Sequence, residues 1–291
     1  MIRLVHLATG ASYGDAALAV SRVAGAVAAV LLHRLFGRLY DRRTGLFMVL
    51  LTVAQPMAVV FGMGYSEAVF LACAAGALLA AHRGRWTVAE AWAVPAGLTR
   101  PGGLAVGAAV ALAAWLAIHQ KQPWVRPLAA AVAAVVACSA TPGYLLWVGL
   151  RTGRADGWFR IQQAGWGTAL DWGAHSWDYV TDQLTGGTGW VDVSVALPVL
   201  AALGGSVLAL LRRPWPPLAL YGLLVTALAV GRSDYPSCKP RLLVPALLFL
   251  LPGAVALARA RGRVAWPIAG AALLAGSWYG AYLLAVWQSV V

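Results

Sequence analysis

His82-Arg83-Gly84-Arg85 separates two apolar stretches, residues 67–81 and 86–98, that are short for membrane helices. A simple spanning helix needs about 20 apolar residues. Two architectures fit such a pair. Either both are short spans, or together they form one re-entrant hairpin. Short segments in a polytopic protein often line a cavity rather than face lipid.

The rest of the chain chooses between them. Apolar segments can be drawn at 16–36, 45–63, 67–81, 86–98, 102–118, 127–149, 192–211, 215–231, 242–258 and 264–287. Every second connection is short and basic. These connections carry Arg34, Arg38, Arg42 and Arg43, then Arg83 and Arg85, Lys121 and Arg126, Arg212 and Arg213, and finally Arg259, Arg261 and Arg263, more than half of the 22 Lys and Arg. The other connections hold all the carboxylates except Asp41 and Glu90. Short spans keep this alternation unbroken and a hairpin does not, so the expectation is an all-α polytopic membrane protein of about ten segments. It forms one integral membrane domain over 1–291, with a polar loop at about 151–191. Lys and Arg are retained in cytoplasmic loops, which places the acidic loops, and any chemistry, on the extracytoplasmic face of the plasma membrane.

Composition agrees. Hydrophobic residues make up 61% and charged residues 11%, with a mean hydropathy of +0.74, against about 25% charged in a soluble domain. The net charge of +12 sits mainly on the cytoplasmic side and suits anionic lipid. Dispersed basic residues without interleaved aromatics exclude nucleic-acid binding. Cys73, Cys138 and Cys238 give no disulfide framework. The five histidines are scattered, so neither a metal site nor a cofactor motif is expected.

Four polar stretches could carry chemistry. Gly64-Tyr65-Ser66-Glu67 opens an apolar segment at the outer face. There a carboxylate is favoured by the helix dipole and Ser66 is placed to cap, yet an ionisable group at a helix mouth is also a functional signal. Thr99-Arg100-Pro101-Gly102-Gly103 forms an outer turn. Its guanidinium suits a phosphate or a carboxylate, or forms a structural pair with Glu67. Arg232-Ser233-Asp234-Tyr235-Pro236-Ser237-Cys238-Lys239-Pro240-Arg241 puts three cations where the charge rule disfavours them, pointing to an anionic partner or to headgroup anchoring. The long loop carries Trp158, Phe159, Gln162, Trp166, Trp172, Trp177 and Trp190. An amphipathic segment on the outer leaflet would look like this, and so would a sugar-stacking surface. Asp171 and Asp178, seven apart, could share one helix face.

Together these pieces resemble the bacterial relatives of GPI mannosyltransferase II, the PIG-V-like family of the GT-C class. The residues that carry the resemblance are Tyr65-Ser66-Glu67, Leu98-Thr99-Arg100-Pro101-Gly102-Gly103-Leu104, Trp158-Phe159 with Gln162 and Trp166, and Lys239-Pro240-Arg241-Leu242-Leu243-Val244-Pro245-Ala246, in order over roughly residues 15–260. The resemblance implies an inverting glycosyltransferase using a polyprenyl-phosphate sugar, most naturally mannose, with an open choice of acceptor and no cofactor. Substrate-binding residues would be Tyr65, Glu67, Arg100, Trp158, Gln162, Trp166, Lys239 and Arg241. A carboxylate would deprotonate the acceptor, and cations would stabilise the phosphate leaving group. The family places its catalytic Asp in a Trp-Asp-rich first outer loop, behind a first membrane helix. This chain shows neither, so the catalytic residue is unassigned. Glu67 is the best candidate carboxylate, and Asp15 sits in no such motif. Residues 1–15 are not an apolar signal sequence, and the alternation puts Met1 outside. Met1 therefore reads as the start of a truncated or misassigned chain, with unusual N-out insertion as the other option.

Two other classes remain in play: a non-catalytic membrane partner or inactive homologue, and a lipid or solute transporter. For a transporter the only charges at mid-membrane depth would be Arg22 and Glu90. The glycosyltransferase reading requires Glu67 and Arg241 to share one face of the bundle.

Overall fold

The computed structural model describes residues 1–121, 126–186, 189–233, 235 and 238–286, without the side chain of Asp192. Asp234, Pro236 and Ser237 of the cationic loop lie outside the described residues, as does the end of the last apolar segment from position 287. The described residues are helical apart from turns and one isolated β-bridge.

A short helix α1 (Ile2–Thr9) precedes α2 (Tyr13–Leu39). Ser12 Oγ caps α2 by accepting from the Asp15 amide at 3.1 Å, satisfying one of the amides a helix start leaves open. Asp41 does the same for α3 (Arg42–Val53), accepting from the Arg43 and Thr44 amides at 2.9 Å each. Then follow α4 (Glu67–His82), α5 (Trp86–Thr99), α6 (Gly103–His119) and α7 (Pro127–Thr152). The loop contains α8 (Gly157–Trp166) and α9 (Ala174–Gly186). The bundle closes with α10 (Trp190–Leu210), α11 (Pro216–Val230), α12 (Lys239–Leu243), α13 (Leu251–Arg259) and α14 (Gly262–Ala285).

Among the described residues four helices are long and apolar enough to cross a membrane, lying within α2, α7, α10 and α14, and shorter apolar helices stand between them. The chain is a helical membrane protein. The two short stretches around His82–Arg85 form separate helices, turned at Gly84, whose φ of 67° suits glycine. Helix α4 is the centre of the bundle: nearly every residue from Glu67 to Ala81 is buried. Its small residues allow this. A Cβ on Gly76 would lie 2.6 Å from the Trp92 ring of α5, and one on Gly107 of α6 would lie 2.7 Å from the Ala137 carbonyl of α7. Close backbone approach of this kind is how membrane helices gain packing energy.

Two expected segments are broken. Residues 45–63 stop as α-helix at Val53 and resume as a 3-10 turn, Ala58–Gly62, because Pro56 has no amide to continue the ladder. Residues 242–258 are interrupted by Val244-Pro245-Ala246 and a second 3-10 turn, Leu247–Leu250, before α13 begins. Backbone freed at membrane depth must find partners. Here the breaks serve each other. Gln55 Nε2 donates to the Val244 carbonyl at 3.1 Å, and Tyr221 Oη of α11 donates to the Pro245 carbonyl at 2.9 Å. These irregular stretches fix the course of the chain into α12.

Candidate functional site

Pro101 decides where Arg100 points. The residue before a proline is driven out of helical backbone. Arg100 accordingly leaves α5 extended, at φ −154° and ψ 154°, which turns its side chain toward the start of α4. There Arg100 Nη1 lies 2.7 Å from Glu67 Oε1, close in distance although not aligned as a hydrogen bond. Arg241 of α12 brings Nε to 3.4 Å from the same oxygen. One carboxylate oxygen thus faces two guanidiniums, and Glu67 Oε2 is buried without a hydrogen-bond partner among the described residues. The pair expected between Glu67 and Arg100 exists, and Arg241 makes it a triad. The Arg241 guanidinium also lies over the Tyr65 ring, 4.9 Å from its centroid, a cation–π contact.

Beyond the arginines opens a cavity of about 350 Å³. Arg100, Arg232 and Arg241 border it. One wall is α7, through Thr141, Tyr144 and Leu145, with Phe70 of α4 nearby. Another wall is α11, through Val225, Leu228 and Ala229. Helix α8 supplies Trp158, Gln162 and Trp166, spaced four apart and therefore on one helix face. Tyr235 and Cys238 complete the lining on the cationic loop. Among the described residues that line it there is no carboxylate. Glu67 is 1% exposed and stands behind the arginines rather than in the cavity wall.

The α8 loop is fastened to the cationic loop. Leu170 and Arg232 form an antiparallel bridge. The Asp171 amide donates to the Gly231 carbonyl at 3.2 Å, and the Ser233 amide donates to the Ala169 carbonyl at 2.9 Å. Asp171 then caps α9, accepting from the Gly173 and His175 amides at 3.0 and 2.9 Å. Partial burial raises its pKa, but those amides and the positive charge of Lys239 outweigh burial and leave it below the usual carboxylate range.

Of the eight residues expected to bind substrate, five border the cavity: Arg100, Arg241, Trp158, Gln162 and Trp166. Tyr65 and Glu67 support Arg241 from behind. Lys239 is placed elsewhere. Its side chain is fully buried, and its Nζ donates to the Arg232 carbonyl at 2.7 Å, so it holds the loop rather than facing the cavity. Ser66 occupies the N-cap of α4, but its hydroxyl makes no cap hydrogen bond and lines the cavity instead. Asp171 and Asp178 do not share a helix face, because α9 begins only at Ala174. The expected surface segment divides: Trp172 and Trp177 are exposed while Trp158 is half-buried against the cavity. Arg232 and Tyr144 were not among the expected site residues. Arg232 had a signal, as the first of three cations in one loop. Tyr144 had none, being one aromatic in an apolar helix.

Helix α12 divides two environments. Arg241 and Leu242 face the arginine cavity, while Pro240 and Leu243 face an apolar cavity of about 520 Å³ bounded by Leu51, Pro56, Leu197, Phe249, Gly276 and Trp278.

This architecture has a solved counterpart. The chain superposes on the crystal structure of ArnT from Cupriavidus metallidurans bound to undecaprenyl phosphate, with a TM-score of 0.56 and 20% sequence identity, over 97% of this chain and 53% of that one. The fold is of the GT-C type. The chain spans about half the length of that structure. No protein-family model matches the chain, and no curated protein matches it.

Proposed function

We propose that this protein is a glycosyltransferase that takes its sugar, mannose in the PIG-V-like reading, from a polyprenyl-phosphate donor at the extracytoplasmic face, with inversion at the anomeric carbon. The observation that carries the reading is three guanidiniums, Arg100, Arg232 and Arg241, converging on one cavity whose other walls are aromatic and apolar. A guanidinium binds phosphate oxygens in a fixed fork. Charge that develops on a departing phosphate is stabilised by donors already in place. Trp158, Trp166 and Tyr144 offer flat faces and Gln162 a hydrogen-bonding amide, the mixture a sugar ring needs. The donor's hydrocarbon tail would remain in the bilayer, so the site has to receive only its polar end. The GT-C fold, and the undecaprenyl phosphate carried by ArnT, support the class of donor. The preference for mannose and the face of the membrane rest on the sequence motifs and on the charge alternation.

The test is binding and transfer. Protein in lipid nanodiscs is expected to bind undecaprenyl phosphate in clear preference to undecaprenol, and Arg100→Ala with Arg241→Ala is expected to remove that preference. Polyprenyl-phosphate mannose should then donate sugar to an acceptor in native membrane extract. Equal affinity for the phosphate and the alcohol in the unmutated protein would sink the reading.

A further inference from the structure

We infer that Glu67 is a positioning residue for the anion site: it acts through Arg100 and Arg241, setting where their guanidiniums present to a phosphate, and does not act as the base. This rests on the phosphate-binding reading of the cavity. Glu67 is 1% exposed, and it is Arg100 and Arg241, not Glu67, that line the cavity. A base must reach the proton it abstracts directly or through one water, whereas both guanidiniums stand against this carboxylate, at 2.7 and 3.4 Å.

The contacts also show what Glu67 does. Two like charges lie beside one another at the cavity edge, where their repulsion would splay them. A single oxygen, Oε1, faces both. It faces Nη1 of one and Nε of the other at ion-pair distance, without an aligned hydrogen bond to either, so the carboxylate fixes where the two charges sit while their N–H groups are left for another anion. A guanidinium has five such donors. Tyr65 backs Arg241 on a second side, so that side chain is held by its charge and by its face. The carboxylate is itself held at the first position of α4, the most enclosed helix of the bundle. The alignment of the site is thus inherited from the core and passed outward through one side chain.

Charge alone makes the opposite forecast, and this gives the test its edge. Removing a negative charge beside an anion site should tighten phosphate binding if electrostatics is all that matters. Loss of positioning should weaken it, since charge-assisted hydrogen bonds to a phosphate depend on distance and angle.

The experiment measures affinity for undecaprenyl phosphate and for undecaprenol in nanodiscs, for the unmutated protein, Glu67→Gln and Glu67→Asp, well below each variant's melting temperature. Glu67→Gln keeps shape and loses charge. Its affinity for the phosphate is expected to fall by about tenfold to a hundredfold, the loss of one hydrogen bond to a charged group, with affinity for the alcohol unchanged. Glu67→Asp keeps charge and loses reach, and is expected to fall between Glu67→Gln and the unmutated protein. It also serves as the deciding variant if Glu67→Gln does not fold. Unchanged or tighter phosphate binding in whichever of the two folds overturns the inference while leaving the donor reading intact. A phosphate preference missing from the unmutated protein itself would overturn the donor reading, and this inference with it.

Discussion

Two carboxylates in this molecule each bridge a pair of arginines. Glu67 meets Arg100 and Arg241 at 2.7 and 3.4 Å, with the three side chains 1, 17 and 20% exposed. Asp156 meets Arg154 and Arg160 at 3.1 and 2.7 Å, with the three side chains 50, 53 and 62% exposed. The distances are alike and the surroundings are not. Around Asp156 water and salt screen the charges, and such surface clusters contribute little to stability. Glu67 itself is shut off from solvent, so its charge depends on the two arginines. A motif count would score the two clusters equally, but burial makes one a fixture of the core and the other a surface ornament.

The largest effect should come from Glu67→Ala. It leaves two partly buried guanidiniums at the cavity edge without their counter-charge, so a cost toward the lower end of the about 3–5 kcal/mol typical of a broken buried pair is expected. A fall in melting temperature large enough to threaten folding in detergent is expected, and differential scanning fluorimetry would show it. Replacing the whole cluster sharpens the point. The triple variant Glu67→Leu, Arg100→Met, Arg241→Met should recover much of the lost stability, because apolar substitutes for a buried ion cluster are often neutral or better. The same variant should no longer bind undecaprenyl phosphate. A triple variant as unstable as Glu67→Ala would show that packing, not charge, holds this end of the bundle.

Asp171 lies between the extremes, and its removal should have an intermediate effect. Asp171→Ala loses the cap of α9, a change worth about 1 kcal/mol. Its folded pKa is lowered from a model-compound value of 3.8, so the stabilisation from its charged form is complete at neutral pH. It should fade only as pH falls below about 4. Melting temperatures of Asp171→Ala and the unmutated protein should therefore converge in acid and differ above it. The smallest effect belongs to Asp156→Ala, whose melting temperature should be indistinguishable from that of the unmutated protein in moderate salt. Hydrogen bonds from Arg154 and Arg160 pull the Asp156 pKa down to about 2. Carboxyl NMR should find its pKa lowered at low salt and returning toward the ordinary carboxylate range as salt is added, because exposed charges are screened. A salt-dependent loss of stability in Asp156→Ala would mean that the surface cluster matters more than its exposure implies.

The fold was largely legible because membrane topology is written in composition: apolar runs mark the helices and charge marks their ends. The two interrupted segments were less legible, since Pro56 and Pro245 show that a ladder must break but not that Gln55 and Tyr221 will receive the freed carbonyls. In the site, local geometry was readable and remote geometry was not. Pro101 fixes the direction of Arg100, and the four-residue spacing fixes the shared face of Trp158, Gln162 and Trp166. Lys239 and Arg241 look equivalent as letters. A short helix with a proline between them sends one cation inward to a backbone carbonyl and the other to the cavity. Nothing in the order of residues says that Arg241 will meet a carboxylate from the far end of the chain.

That last separation has a consequence in time. Arg100 leaves the ribosome shortly after Glu67, whereas Arg241 emerges more than a hundred residues later. At about 5–20 residues per second, translation leaves an interval on the order of ten seconds in which Glu67 has only one of its two arginines. The later one arrives with α12, after the helices that form the cavity walls have been made, so the site's third guanidinium is among the last parts to be set.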